Sequence, residues 1–561
     1  MRMFNFFKNK KAVFLSILFL FLVLRLPGLH LPYHQDERKA VVGYSSLSSG
    51  TPHPPLTRAI FTLDATIFGR DNFRAMPLVF GVANLFLLFY FVRRRFGYGA
   101  AVWSSLFFSL SFYSVLGSLV TEMDGQVLPF FFLLSLVAYF NWKEAPSPRK
   151  KTIWGVFLAF SLILGFLTKL NFIIAVGAII LDFLIENRKS FVNKKLLIKY
   201  GLAVLGFLAL LAVALFNAKL FFRSYDLSMT LGHVNDFIKL SGRAYLQVII
   251  QVAKAIMYVS PLLLVPIFFV NKGDWKKFRI FWLFLLLGAI FYLIIFDFSR
   301  SALDKYLAFI IVPLSIIAGT IMADAWKKSE AKLLIPTGEL IFSGLVLASI
   351  IFSVQFLPHF TPPLYPKEEW ISRIIKLRWN FVFPFTGGSG PLGFYVSWLF
   401  IALSWSISIL LALAALFKKE LRKLAMCGII VVGLFYNLAF AEEYLLGRIN
   451  GSPNALLKKA ISFIENNSAI GRVISYNDIG AYEFIKIDKY ERRLYAAPKF
   501  EAAYADILQN FQGHYLVIDI PHLSSESPYA KHFMTCDTIY EDRSGKISAK
   551  VYNCKNVPTT R

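Results

Sequence analysis

Apolar residues run along this chain in long blocks, and each dense block ends at a short basic run. Block after block approaches the roughly 20 residues that a helix needs to cross the hydrocarbon core of a bilayer. The first runs from about Ala12 to Leu26, with Arg2, Lys8, Lys10 and Lys11 ahead of it. A basic start before an apolar stretch also describes a cleaved signal peptide. This stretch ends in Leu26-Pro27-Gly28 with no small-residue cleavage site, so it reads as a retained first helix.

Lys and Arg concentrate on the cytoplasmic side of membrane helices. With the N-terminus inside and the helices simply alternating, the basic runs at Arg93-Arg94-Arg95, Lys143 to Lys151, Arg188-Lys189, Lys272 to Lys277, Lys327-Lys328 and Lys418-Lys419 all fall inside. The pattern predicts about thirteen helices, and that odd count puts the C-terminus outside. A transmembrane domain over 1–441 therefore carries three long outer segments, 27–75, 217–254 and 355–391. The last two mix aromatic and basic residues (Phe221, Phe222, Arg223, Tyr225; Trp370, Arg373, Lys376, Arg378, Trp379), a composition suited to helices lying in the interface.

From about Glu442 the pattern changes. Ser452-Pro453 reads as a helix start, Arg472 to Tyr476 and Tyr515 to Ile520 as strands, Ala497 to Phe511 as a helix, and Ile547 to Tyr552 as a half-buried strand. The fold class expected is a polytopic α-helical membrane protein with a small extracytoplasmic α/β domain over 442–561.

Composition agrees: 57% of residues are hydrophobic and Phe occurs 58 times. The net charge of +26, from 60 Lys and Arg against 34 Asp and Glu, sits between apolar blocks, where it sets topology. No basic patch is interleaved with a stacking platform, so no nucleic-acid partner is expected. The bilayer is. Cys427 reads as a small core residue, while Cys536 and Cys554 would pair only if their segment faces an oxidising compartment.

Candidate chemistry lies at the outer ends of helices. The first outer loop holds His34, Asp36, Glu37 and, beyond it, His53-Pro54-Pro55-Leu56-Thr57-Arg58. Adjacent carboxylates are scarce in this chain. Asp36-Glu37 reads equally as a functional pair or as the solvated start of a helix. A second acidic site, Glu122 and Asp124, follows the third block and has the same two readings.

These residues carry a resemblance. Asp-Glu after the first helix, His-Pro-Pro-Leu downstream, Arg74 opening the second helix, Arg-Arg-Arg-Phe-Gly closing it and an acid after the third resemble the GT-C glycosyltransferases. Within them the chain is most similar to the branch of protein O-mannosyltransferases and lipid A aminoarabinose transferases. Leu167-Thr168-Lys169 and the stretch from Arg300 to Lys305-Tyr306 are similar to that branch too. The likeness covers about residues 10–330 and is tighter in the first 170.

The resemblance implies a polyprenyl-phosphate sugar as donor, a hydroxyl acceptor on protein, glycolipid or polysaccharide, and inversion at the sugar. Asp36 matches the catalytic acid position and would be the general base, with Glu37 and Asp124 beside it. A lipid-phosphate leaving group needs positive charge, for which Lys169, Arg300 and Lys305 at outer helix ends, with Arg58, Arg74 and Tyr306, are the candidates. Singly, each cation also reads as a snorkelling interfacial residue. A divalent ion is compatible with His34, His53 and Glu122 among the acidic residues, though their spacing is not diagnostic. The site would face outward from the cytoplasmic membrane. A transporter or flippase of lipid-linked saccharide is the alternative. It would place ionisable residues near the midplane and show inverted repeats, and neither pattern is evident.

Overall fold

The computed structural model describes residues 9–34, 36–45, 53–69, 72–188, 194–221, 225–238, 245–296, 306–328, 337–356, 363–385, 392–496 and 501–555. The chain divides into two compact units, one of residues 1–29 with 40–331, the other of residues 30–39 with 332–561.

The first unit is a helical bundle. Helices Lys10–Val23, Ala75–Phe96, Val127–Lys143, Pro148–Thr168, Ile173–Glu186, Lys194–Phe221, Tyr245–Leu264, Arg279–Ile290 and Ile311–Lys328 fall where apolar blocks predict them. The third block is interrupted: Tyr98–Leu110 stops at Ser111 and resumes as Phe112–Ser118, bent by 65°. Lys194–Phe221 runs past the predicted end of its block. Tyr245–Leu264 starts inside the second outer segment and kinks at Ser260-Pro261, where Ser260 takes φ 71°. Between them, Leu227–Phe237 forms a short helix capped by Asp226, whose carboxylate accepts from the Ser228 amide at 2.9 Å. Among the described residues seven helices are long and apolar enough to cross a membrane, eight with the bent pair, and further apolar helices are shorter. The chain is a multi-pass membrane protein.

The second unit packs apolar helices Thr337–Phe356, Trp398–Phe417 and Arg422–Leu445 against one another. Segment 355–391, expected to lie outside, carries the amphipathic helix Lys367–Ile375, as its composition predicts, and also a hairpin the pattern did not announce. In it β1 (Val382–Phe385) pairs antiparallel with β2 (Phe394–Ser397). The Gly387-Gly388-Ser389-Gly390 stretch lies outside the described residues.

Beyond Leu445, helix Pro453–Asn466 begins as read, with Pro453 at its first position and the Ser452 hydroxyl accepting from the Ala455 amide. Its apolar stripe (Leu456, Leu457, Ala460, Ile464) covers one face of a five-stranded sheet. The strands are β3 (Val473–Tyr476), β4 (Tyr490–Leu494), β5 (His514–Ile518), β6 (Asp537–Ser544) and β7 (Ile547–Asn553), in the order β4-β3-β5-β7-β6. The β4-β3-β5 half is parallel and the β5-β7-β6 half antiparallel. Tyr476, Tyr529, Phe533 and Cys554 fill the other face. The three predicted strands recur as β3, β5 and β7, while β4 and β6 were missed because charged side chains break their alternation. The helix expected over Ala497 to Phe511 is, where described, a turn at Ala502–Tyr504 followed by Ala505–Asn510. Cys536 and Cys554 are joined in a disulfide, and Cys427 is free.

Candidate active site

In the first unit the break in the third block builds the site. After Ser118 the chain loops through Leu119 to Gln126, and this loop carries Glu122 and Asp124. It lies backbone to backbone against the preceding short helix. A Cβ at Gly125 would stand 2.2 Å from the Gly117 carbonyl oxygen, so this approach needs glycine. Buried polar side chains hold the loop. Fully buried Arg74 donates from Nε to the Leu119 carbonyl at 2.7 Å. Gln126 donates to the Ser114 carbonyl at 3.1 Å and to Ser118 Oγ at 3.0 Å, and Asn84 donates to the Gln126 side chain at 2.8 Å.

Lys169 ends helix Pro148–Thr168 in an extended conformation (φ −159°, ψ 136°), which turns the chain toward the loop. Its ammonium pairs with the Asp124 carboxylate and lies 3.8 Å from that of Glu122. Asn171 donates to the other Asp124 oxygen at 2.8 Å and to the Tyr292 hydroxyl. The Lys169 ammonium also stands 4.8 Å from the Tyr306 ring centre. Asp124 and Lys169 are buried. A cavity of about 30 Å³, room for a water, opens beside Asp124 and Asn171 and is otherwise walled by apolar groups such as Phe132, Phe284 and Tyr292. The Thr57 hydroxyl donates to the Thr168 carbonyl, tying helix Pro55–Phe68, which carries buried Arg58, to the same helix end.

In the second unit Asp36 is the first residue of helix Asp36–Ser45. Its side chain lies outside the described residues. Glu37 is fully buried, and its carboxylate accepts from the His34 amide at 3.4 Å while its own amide donates to the His34 carbonyl at 3.0 Å. Arg38 pairs with Asp478 at 3.3 Å.

Of the candidates, the structure brings Glu122, Asp124, Lys169 and Tyr306 together. It gives Arg74 the loop carbonyl as a partner. Arg300 and Lys305 lie outside the described residues. His53 is half-buried ahead of helix Pro55–Phe68. The ammonium of Lys169 already stands where a cation bridging Glu122 and Asp124 would sit, so these carboxylates do not offer a ready metal site. Among the described residues the one trio of His, Cys, Asp or Glu close enough to share an ion is His532, Cys536 and Cys554, whose two sulfurs are bonded to each other.

Asn171 and Tyr292 were missed by sequence reasoning, although Asn171 follows Lys169 by two residues. Arg25 was passed over inside the first block, where any ionisable residue carries a signal.

The description dolichyl-phosphate-mannose-protein mannosyltransferase matches residues 52–216. Among solved structures the chain is similar to ArnT from Cupriavidus metallidurans in the apo state, at 13% identity and TM-score 0.49 over 98% of both chains. It is similar to the same protein bound to undecaprenyl phosphate, at 12% and 0.48, over 96% of this chain and 97% of that one. Similarity to arabinosyltransferase EmbB from Mycobacterium smegmatis, at 13% and 0.43, covers 82% of this chain and 44% of that one. No curated protein matches the sequence. The matched stretch spans the Pro-Pro turn, Arg74, the acidic loop and Lys169, and over these residues the chain is similar to the dolichyl-phosphate-mannose-protein mannosyltransferases.

Proposed function

We propose that the protein transfers a sugar from a polyprenyl-phosphate donor to a hydroxyl acceptor, with inversion, on the outer face of the cytoplasmic membrane. The observation that carries this reading is the buried Asp124–Lys169 pair with Glu122 and Asn171. It joins two separate motifs of the matched stretch, and ionised groups within an apolar bundle are kept for function.

In the step proposed, the acceptor oxygen attacks the anomeric carbon as the bond from that carbon to the phosphate oxygen breaks. The lipid phosphate leaves with the electron pair, and the acceptor proton passes to a carboxylate. Asp36 is assigned that role by its place in the sequence motif. Glu122, Asp124 and Lys169 together carry one net negative charge, so as they stand they do not form an anion cradle. The Asp124–Lys169 pair would fix the outer end of helix Pro148–Thr168, and Lys169 reaches a phosphate only by leaving Asp124. Arg58, Arg300 and Lys305 are the further phosphate candidates, and Arg74 is better read as the support of the acidic loop.

The N-terminus would face the cytoplasm and the α/β domain the exterior, where the Cys536–Cys554 disulfide is at home. The sugar acceptor would be a glycan, lipid or protein.

The test is a radiolabelled transfer assay with purified, lipid-reconstituted protein and a polyprenyl-phosphate sugar. Transfer abolished by Asp36→Asn and by Lys169→Ala supports the reading. Unchanged transfer in Asp36→Asn removes the base. Passage of intact lipid-linked sugar across liposomes, with its bond unbroken, favours a flippase instead.

A further inference from the structure

Asp478 stands at the end of β3, in the α/β domain, and is fully buried. The chain turns there through two consecutive left-handed residues, Asn477 (φ 55°) and Asp478 (φ 62°), a conformation that Asn and Asp tolerate better than other side chains. The turn is pinned from both sides. The Asn477 amide donates to the Leu494 carbonyl of β4 at 2.6 Å, and the Ser475 hydroxyl to the Ile479 carbonyl at 2.6 Å. At Gly480 the backbone is left-handed again, and a Cβ would stand 2.7 Å from Leu457 of the covering helix. A rigid platform therefore presents one carboxylate.

That carboxylate has three donors. Arg493 donates to Oδ2 at 3.2 Å and the Tyr490 hydroxyl to Oδ1 at 3.2 Å, both from β4. The third donor comes from far away in sequence: Arg38 reaches Oδ2 with Nε at 3.4 Å and Nη2 at 3.3 Å, and its guanidinium stands 5.4 Å from the centre of the Tyr490 ring. Burial, with the Asp478 charge adding to it, pushes the Tyr490 hydroxyl up to about 12, so it remains a donor. A second contact holds the same segment, Tyr33 meeting Tyr482 edge to face at 5.2 Å. Residues 30–39 accordingly belong to the compact unit of the α/β domain, not to the helical bundle that follows them in sequence.

Arg38 sits in the first turn of helix Asp36–Ser45, two residues after Asp36. Two N–H groups of one guanidinium converging on a single oxygen of a buried, multiply bonded carboxylate fix more than a distance. They also fix the rotation of that first turn about its axis. We infer that Asp478 is a positioning residue: through Arg38 the α/β domain orients the segment that bears Asp36, and so sets the transfer rate without touching substrate. The inference rests on the assignment of Asp36 as base.

The experiment compares Arg38→Met, Asp478→Asn and their double variant with the parent in lipid-reconstituted full-length protein. Arg38→Met leaves Arg493 and Tyr490 on Asp478, so the domain keeps its fold. Lys459→Ala, which breaks a surface pair with Asp542 in the same domain, is the control. A base turned by about an ångström costs roughly a hundredfold in rate. The expected result is a fall in kcat of roughly tenfold to a hundredfold with the donor KM little changed, faster amide exchange over residues 36–45, and a double variant no worse than the worse single one. Arg38→Lys should recover part of the loss. Parental kcat in Arg38→Met and Asp478→Asn, while Asp36→Asn is inactive, overturns the positioning role and leaves the base standing. An active Asp36→Asn removes the base itself.

Discussion

Arg25 donates from Nε to the Ser118 hydroxyl at 3.0 Å, joining the first apolar helix to the bent third one. The same guanidinium donates to Ser114 Oγ at 3.0 Å, the Ser109 carbonyl at 3.1 Å and the Phe21 carbonyl at 2.9 Å, and lies 3.5 Å from the Phe21 ring centre. Ser118 and Gln126 extend the chain of bonds to the base of the acidic loop. Each interhelical bond of this kind contributes on the order of 1 kcal/mol or less in a membrane. Removing one partner of several also strands the others. Arg25→Ala should cost roughly 2 kcal/mol and lower transfer, because the loop bearing Asp124 loses its brace. Thermal unfolding together with the transfer assay checks this. A variant as stable and as active as the parent would mean that the bonds hold nothing in place.

Lys169 and Asp124 form a pair whose members are worth less apart than together. Removing one partner of a buried ion pair leaves an uncompensated charge and costs about 3–5 kcal/mol, whereas replacing both with apolar or neutral groups can be nearly neutral. With Lys169→Met, the two carboxylates face each other without a cation. With Asp124→Asn, the Glu122 carboxylate still lies 3.8 Å from the ammonium. Both single variants should lose transfer by at least about a hundredfold. In stability, Lys169→Met should be the worse of the two, and the double variant should recover much of its loss. Additive losses in the double variant would show that the two groups act separately.

The helical membrane fold was legible in the sequence because its cause is local: apolar blocks of bilayer length, separated by runs such as Arg93-Arg94-Arg95, leave little choice but bundled helices. Glu122, Asp124 and Lys169 were legible as candidates because charge is conspicuous in an apolar chain. Their pairing was not, since it follows the 65° break at Ser111, and between Ala100 and Leu116 no proline, glycine or charge marks where the helix would bend. Arg25 was hidden for the opposite reason: at the end of a block it passes for a snorkelling residue, and only the serines of another helix reveal its partners. The tie from Arg38 to Asp478 spans most of the chain, and nothing in either segment's composition announces the other.

The Cys536–Cys554 disulfide closes a loop with a sequence separation of 18 around β6 and β7. A loop of that size removes enough freedom from the unfolded chain to contribute about 3 kcal/mol. Replacing both cysteines with serine, or adding a reductant, should raise amide exchange in β5, β6 and β7 and leave the helices of the first unit unchanged. Exchange that rises throughout the protein would mean that the α/β domain does not open independently.

Asp64 gives the protein a pH dependence of definite sign. It lies fully buried in helix Pro55–Phe68, and neither carboxylate oxygen makes a regular hydrogen bond. Burial pushes its pKa up to about 7, with the Met76 amide pulling the other way, against an ordinary value of about 3.9 in an unfolded chain. Below about pH 3 the group is neutral in both states. As pH rises toward 7 the unfolded chain releases the proton while the fold retains it, so stability falls, and above 7 the loss levels off. The total is about 2–4 kcal/mol. Asp64→Asn is neutral throughout and nearly isosteric. Its stability relative to the parent should climb between about pH 4 and 7 and then stay constant, giving a more heat-resistant protein at pH 8. Melting profiles at a series of pH values read this directly: a parent and variant that run parallel from pH 4 to 8 would mean that Asp64 titrates in the fold as it does in the unfolded chain.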